Sequence, residues 1–360
     1  MKQIVTREDL NDLVAEHGTI SAAARALGWP RSTFWDRLNA AESTEYKITD
    51  EAGNVISRQW VKYPAGKTSD VEREQQLVEA VQRILDEAAP LPRLRTPAAA
   101  TQIEDLITVY IITDLHLLML SWLPETGENW DLKIAERALM ETLTDVVAAS
   151  PPSEHAVVLN VGDFFHTDDD SSRTRLHGNM LDTDSRYDKA LNLGADMIVW
   201  ATELALQKHK YVEVAAVPGN HDEYAMKALR LAMRFAFLNN PRVTVNYNPS
   251  VFWFRQFGKT MLCAHHGHKV KGPQMPGVMA STMPYMWGTT THRYAFMGHL
   301  HKSMLGGDEQ HGAKWEVFQT LAAKDEWSYS NGYRSGRSLT SLTFHKAGGE
   351  FCRTTRQVRI

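Results

Sequence analysis

Five short apolar runs in this chain each give way to residues that can bind a metal ion. "ITVYII" leads to Asp114 and His116. "AVVLNV" leads to "GDFFH", with Asp163 and His166. "YVEVAAV" leads to "PGNHDE", with Asn220, His221 and Asp222. "TMLCA" leads to "HHGH", with His265, His266 and His268, and "YAFM" leads to "GHLH", with His299 and His301. A single Asp-x-His after a strand is ordinary turn chemistry. Five apolar runs that all end in carboxylate, amide or imidazole donors point instead to one shared site. Oxygen donors mixed with imidazoles suit divalent ions such as manganese, iron or zinc. A carboxylate shared by two such ions, roughly 3.5–4 Å apart, supports attack of a metal-activated water on a phosphate ester. The glycines in GD, GN and GH let the backbone turn sharply and come close to the site.

Apolar runs of this length read as strands buried on both faces. Between several of them lie helical stretches, "DLKIAERALMETLTDVVAA" and "RYDKALNLGADMIVWATELAL". In an open α/β sheet, functional groups gather beyond the carboxyl ends of the strands, which is where every candidate ligand falls. "PQMPGVMASTMPYMW" reads as a loop at the rim whose methionines fill gaps.

In this order, D-x-H, G-D, G-N-H-D, a histidine-bearing fourth motif and G-H-x-H resemble the calcineurin-like metallophosphoesterase family over roughly residues 106 to 320. The resemblance implies a β-sandwich flanked by helices and two divalent cations, manganese foremost, with iron, zinc or magnesium as alternatives. One cation would be held by Asp114, His116, Asp163 and His301. The other would be held by Asp163, Asn220, His299 and a histidine of the fourth motif. There His265, His266 and His268 compete, with His266 favoured because it directly precedes glycine. His221 would protonate the leaving oxygen, with Asp222 orienting its ring. "GDFFHTD" and "PGNHDE" lack the two arginines of Ser/Thr protein phosphatases. "GDFFH" and "FMGHLHK" are similar to segments of DNA double-strand-break repair exonucleases, which would make His166 an aid to catalysis. Those enzymes work with an ATPase partner; whether this chain has one is left open.

The remainder of the chain divides into smaller pieces. Residues 1–44 read as a helix-turn-helix domain, with "REDLNDLVAEHG" ending at Gly18, "TISAAARALG" capped by Ser21 and broken by Gly28, and a third helix beginning at Pro30. "GTISAAARALGWPRSTFWDRL" resembles the helix-turn-helix of bacterial factor-for-inversion-type and enhancer-binding regulators. It would turn Arg31, Ser32, Thr33 and Arg37, and with them Trp35, toward a partner and pack Phe34 and Leu38 inward. Residues 1–43 carry five Lys or Arg against six Asp or Glu, a poor balance for attraction to phosphates. DNA contact would rest on those few arginines, and protein docking is the competing use. Residues 45–65 alternate around "DEAGN" as a β-hairpin or wing. Residues 66–105 hold an amphipathic helix over 68–89, a possible homodimer contact, followed by the proline-bearing linker "PLPRLRTPAAA". Residues 106–360 form the phosphoesterase domain.

A net charge of −4 argues against bulk attraction to nucleic acid or acidic membranes. Two isolated cysteines, no signal-like N-terminus and no long apolar span point to the cytoplasm and away from membranes. Beyond the fifth motif, "DEWSYSNGYRSGRSLTSLTF" interleaves Trp327, Tyr329 and Tyr333 with Arg334 and Arg337, and Lys269 and Lys271 follow the fourth motif. Aromatics among cations suit stacking on bases and contact with backbone phosphates. Three functions compete at this stage: a metal-dependent DNA exonuclease or endonuclease, a phosphoesterase for a cyclic nucleotide or phosphomonoester, and a noncatalytic DNA-binding regulator. The joining of a helix-turn-helix to such a domain is associated with phage and mobile elements.

Overall fold

The computed structural model describes residues 7–38, 43–49, 55–62, 102–175, 178–306 and 312–359. The chain divides into two units, Met1–Gln76 and Leu77–Ile360. In the first unit, α1 (Arg7–His17), α2 (Ile20–Ala26) and α3 (Arg31–Leu38) turn at Gly18 and Gly28, both at positive φ. Leu10, Ala23, Ala24 and Phe34 form the small core, and the two alanines let the helices approach closely. Thr19, not Ser21, caps α2: its hydroxyl accepts the Ala22 N–H at 3.2 Å. Pro30 precedes α3 instead of opening it, and its carbonyl accepts the Phe34 N–H. Arg31, Ser32 and Thr33 are exposed. The side chains of Trp35, Arg37 and Leu38 lie outside what the structure describes, as do the helix expected over 68–89 and the linker after it. An antiparallel hairpin follows, β1 (Ser43–Thr49) with β2 (Val55–Lys62).

The second unit runs β3 (Ile103–Ile112), α4 (Leu123–Thr126), α5 (Leu132–Ala149), β4 (Ser153–Asn160), α6 (Tyr187–Lys208), β5 (Tyr211–Ala216), α7 (Ala225–Ala236) and β6 (Val243–Asn246). It continues through β7 (Trp253–Phe257), β8 (Thr260–Ala264), α8 (Met275–Thr282), α9 (Pro284–Thr289), β9 (His292–Met297), β10 (Met304–Gly306) and β11 (Lys314–Val317). It closes with α10 (Glu326–Ser330), β12 (Ser338–His345) and β13 (Gly349–Gln357). Two sheets result, ordered β13-β12-β3-β4-β5-β6 and β10-β11-β9-β8-β7.

Side-chain alternation explains why the strands are apolar throughout. Ile107, Val109 and Ile111 of β3 and Val157 and Leu159 of β4 share a cluster with Leu262, Tyr294, Phe296 and Phe344, the core between the sheets. Tyr110, Ile112 and Val158, on the opposite faces of these strands, and Val214 of β5 pack with residues of α5, α6 and α7. In the second sheet Met261, Cys263, Ala295 and Met297 face outward onto Met275 and Met279. The segment expected as a rim loop is therefore helical in α8 and α9. Met275 and Met279, one turn apart, are fully buried and cover that outer sheet face, and apolar burial stabilises helix over loop here.

Within each sheet the ligand-bearing strands run the same way, because β3, β4 and β5 are parallel, as are β8 and β9. Each sheet thus gathers its motifs beyond one set of carboxyl ends. Among the described residues, no helix is long and apolar enough to cross a membrane.

Candidate metal centre

The loops after β3 and β4 do not simply turn away; they continue to pair. Asp114 N–H donates to the Gly162 carbonyl at 3.1 Å, His116 N–H to Asp163 at 3.0 Å and His166 N–H to Leu117 at 2.9 Å. The loops after β8 and β9 are joined in turn, with Gly298 N–H donating to the His266 carbonyl at 2.9 Å. Five donors on these loops hold positive φ without being glycine: Asp114 (49°), His116 (45°), Asp163 (50°), His299 (70°) and His301 (52°). Such conformations cost of order 1–3 kcal/mol each and persist only where surrounding contacts enforce them. Repeating the strain at five donors turns their side chains toward one place.

Glycines permit the approach. A Cβ on Gly219 would collide with the Asp163 carboxylate, and one on Gly298 with the side chains of Thr113 and Asp114. Gly162, at φ 94°, has the Gly219 backbone and the His266 ring 2.8 Å from where its Cβ would lie.

Two groups of donors emerge with their ligand atoms within 4.8 Å of one another: Asp114, His116 and His301, and Asp163, His266 and His299. His301 Nε2 lies 3.3 Å from an Asp114 oxygen and 3.1 Å from His116 Nε2. His266 Nε2 lies 2.9 Å from Asp163, while its Nδ1–H donates to the Val161 carbonyl at 2.9 Å. A backbone carbonyl on the far nitrogen is the usual device for presenting the near nitrogen to a metal. Asp163 also accepts the His221 N–H at 2.9 Å, tying the second motif to the third. Asn220 Oδ1 is buried without a hydrogen-bond partner and opens on the same cleft. A buried, unpartnered amide oxygen beside two such groups fits a cation ligand.

The fourth-motif histidines separate. His265 stacks on Phe252, with ring centroids 4.7 Å apart, and accepts the Gly267 N–H; His268 stacks on His265. Neither belongs to a donor group, and His266 does.

Asp222 does not orient the His221 ring. Its carboxylate accepts the N–H groups of Gly219, Phe164 and Phe165 at 2.7, 2.7 and 3.2 Å, and so braces the second and third motifs against each other. The His221 ring is oriented by the His166 carbonyl, which accepts its Nδ1–H at 2.8 Å. The His166 ring stacks on that of His221 and sets its Nδ1 3.1 Å from Nδ1 of His116. His116, His166 and His221 thereby form a third group of close donors.

Packing carboxylates and imidazoles together spreads their proton affinities. Burial works against the charge of Asp163, yet His266 and His221 hold it well below the usual carboxylate range. Burial likewise opposes the imidazolium of His266, but Asp163 and Asp114 outweigh it and push His266 up to about 9. Burial and the neighbouring His221 push His166 down to about 3, and burial with His266 pushes His299 down to about 4.

His116, Asp163, Asn220, His221, His299 and His301 line a cleft of about 370 Å³ that is also lined by Lys302, Lys324, Asp325, Trp327, Tyr333 and Arg337. Arg337 lies 3.4 Å from Glu128, which also takes Lys324. Arg334 and Lys269 do not line the cleft. Arg334 donates to the carbonyls of Tyr329 and Tyr333 and lies over the Tyr329 ring, and Lys269 is 3.4 Å from Glu223. Residues not singled out in the sequence support the site. Thr320 donates to the Asp114 carbonyl at 2.7 Å, and Asp168 accepts the N–H groups of Tyr224 and Ala225 at the start of α7. A threonine and an aspartate in polar loops carry no sequence signal for such bracing. Only the partners identify it.

Solved structures align over most of the chain at low similarity. A conserved uncharacterized protein of Streptococcus pneumoniae, described as a predicted phosphoesterase, is 9% identical, with 71% of this chain and all of that one covered, TM-score 0.29. Zinc-bound Vps29 of Entamoeba histolytica is 11% identical, with 70% and 99% covered, TM-score 0.30. The 5'-nucleotidase of Candida albicans is 10% identical, with 73% and 53% covered, TM-score 0.33. No curated protein sequence matches the chain. The family model for calcineurin-like phosphoesterases matches residues 107–332, the stretch that carries all five motifs, and the chain belongs to that family.

Proposed function

We propose that the chain is a two-metal phosphodiesterase that cuts DNA. The observation that carries this reading is the composition of the cleft. Beside the buried donors the cleft is lined by Lys302, by Lys324 and Arg337, which share Glu128, and by two exposed aromatic rings, a surface suited to a nucleotide strand. The two arginines that clamp a phosphomonoester in protein phosphatases have no counterpart in "GDFFHTD" or "PGNHDE". Asp114, His116, Asp163 and His301 would hold one cation, and Asp163, Asn220, His266 and His299 the other, with manganese the first candidate. When bound, the pair supplies an activated water and neutralises the phosphoryl oxygens. His221 keeps Nδ1 engaged with the His166 carbonyl, which leaves Nε2 to carry a proton to the leaving oxygen. His166 sets the position of His221 and His116 and steers the leaving group. The exposed Arg31, Ser32 and Thr33, with Arg37, make the helical unit a candidate for placing the enzyme on DNA, tested by a gel shift of the full chain over a salt series.

A cleft of about 370 Å³ is also the size of one small ligand, which favours a nucleotide-sized ester as the second reading. Incubation with manganese and labelled single- and double-stranded DNA, beside a chromogenic bis-ester and monoester, separates the two. DNA cleavage is expected; turnover of the small esters alone would discard the nuclease.

A further inference from the structure

Trp327 and Tyr333 line the same cleft as His116, Asp163, Asn220, His299 and His301, with ring centroids 5.6 Å apart and planes inclined by only 26°. Both are exposed, at 61% and 48%, although such rings are on average well covered. Their position is held by the backbone. Asp325 caps α10 by accepting the Ser328 N–H at 2.8 Å, and Tyr333 N–H closes the following turn on the Ser328 carbonyl at 3.0 Å. Arg334 fastens the same turn through two carbonyls. The two rings therefore form a preset, near-parallel stacked pair that remains exposed, in a cleft that Lys302 and Arg337 also line.

We propose that this pair is a stacking subsite for one nucleobase of the substrate, adjoining the phosphate held at the donor groups. The inference deepens the proposed function, since it names what the enzyme grips besides phosphate: an unstacked base, as offered by a single strand or a frayed end. An aromatic face accepts any base, and stacking contributes ~1–3 kcal/mol per base, about 5- to 150-fold in affinity. Base pairing in an intact duplex would hide the ring from this subsite.

Equilibrium binding of deoxyadenosine 5'-monophosphate and of deoxyribose 5-phosphate to the full chain, wild type and W327A and Y333A variants, tests the subsite apart from the chemistry. In the wild type the nucleotide is expected to bind at least fivefold more tightly than the sugar phosphate. W327A should reduce that preference to within twofold while leaving the sugar phosphate unchanged, and W327F should restore it. Equal wild-type binding of the two ligands, or a preference that survives in W327A, would overturn the proposal. DNA cleavage is scored separately. Cleavage without base preference removes the subsite and keeps the nuclease; base preference without cleavage keeps the subsite and removes the nuclease.

Discussion

The two walls of the cleft are built by opposite strategies. The donor wall is buried, rich in strained backbone, and braced by groups that reach across motifs: Asp222 to Phe164 and Phe165, Thr320 to Asp114, the Val161 carbonyl to His266. The aromatic wall is exposed and rests on one short helix and its following turn. Holding several charged and ionisable groups in contact requires a surrounding that prevents them from relaxing apart. A surface that stacks on a variable ligand needs only position. The first wall should therefore be intolerant of change, and the second should yield graded losses.

The sharpest way to break this contrast is Asp163→Ala. Its carboxylate meets His266 and the His221 N–H at once, and loss of metal stabilisation worth several kcal/mol corresponds to ~10³-fold or more in rate. Steady-state turnover with manganese checks it; residual activity within tenfold of wild type would show that the donor wall is not the reaction centre. Gly219→Ala is the next test, because its methyl would enter the space of the Asp163 carboxylate. Overpacking at a site that cannot relax costs about 1–3 kcal/mol, so a fall of several degrees in Tm and weakened manganese binding are expected by calorimetry. An unchanged Tm with wild-type metal affinity would mean that the glycine is dispensable.

Acidity sharpens the comparison more gently. In the metal-free protein His266 keeps its proton up to about 9, and a metal can take Nε2 only after that proton leaves. Manganese uptake should release protons and weaken as pH falls below about 9, approaching a tenfold loss per unit for each proton displaced. The metal-free fold responds in the opposite sense. A histidine whose folded value is raised contributes stability that is fully present below its unfolded value and is lost as pH rises through about 9. Metal-free stability should thus decline from near neutrality toward pH 9 over the range in which metal uptake improves. Isothermal titration in buffers of different ionisation heat and denaturant melts across pH 6–9.5 measure both; parallel trends would contradict the His266 assignment. The aromatic wall, by contrast, should leave both pH profiles unmoved in W327A.

The donors themselves were legible in the chain because apolar runs ending in Asp, Asn and His are a local pattern, and burial on both faces writes that pattern directly into residue type. The helices α5 and α6 were legible for the same reason: their apolar positions recur at helical spacing. Where burial came from a partner on another element, local reading failed. The methionine segment read as a loop is helical because the outer face of the flanking strands β8 and β9 needs covering. Asp222 looked like a partner for its neighbour His221, yet its oxygens are claimed by backbone amides, Phe164 of the second motif and Gly219 of its own.

Sequence alone, then, determined which atoms could hold a metal, since ligand chemistry belongs to residue type and survives any fold. Tertiary structure decided which of the three fourth-motif histidines meets Asp163, which carbonyl turns His221, and that an aromatic pair lines the same cleft. Those are distances between residues far apart in the chain, fixed only when the two sheets pack and the loops beyond their strands pair.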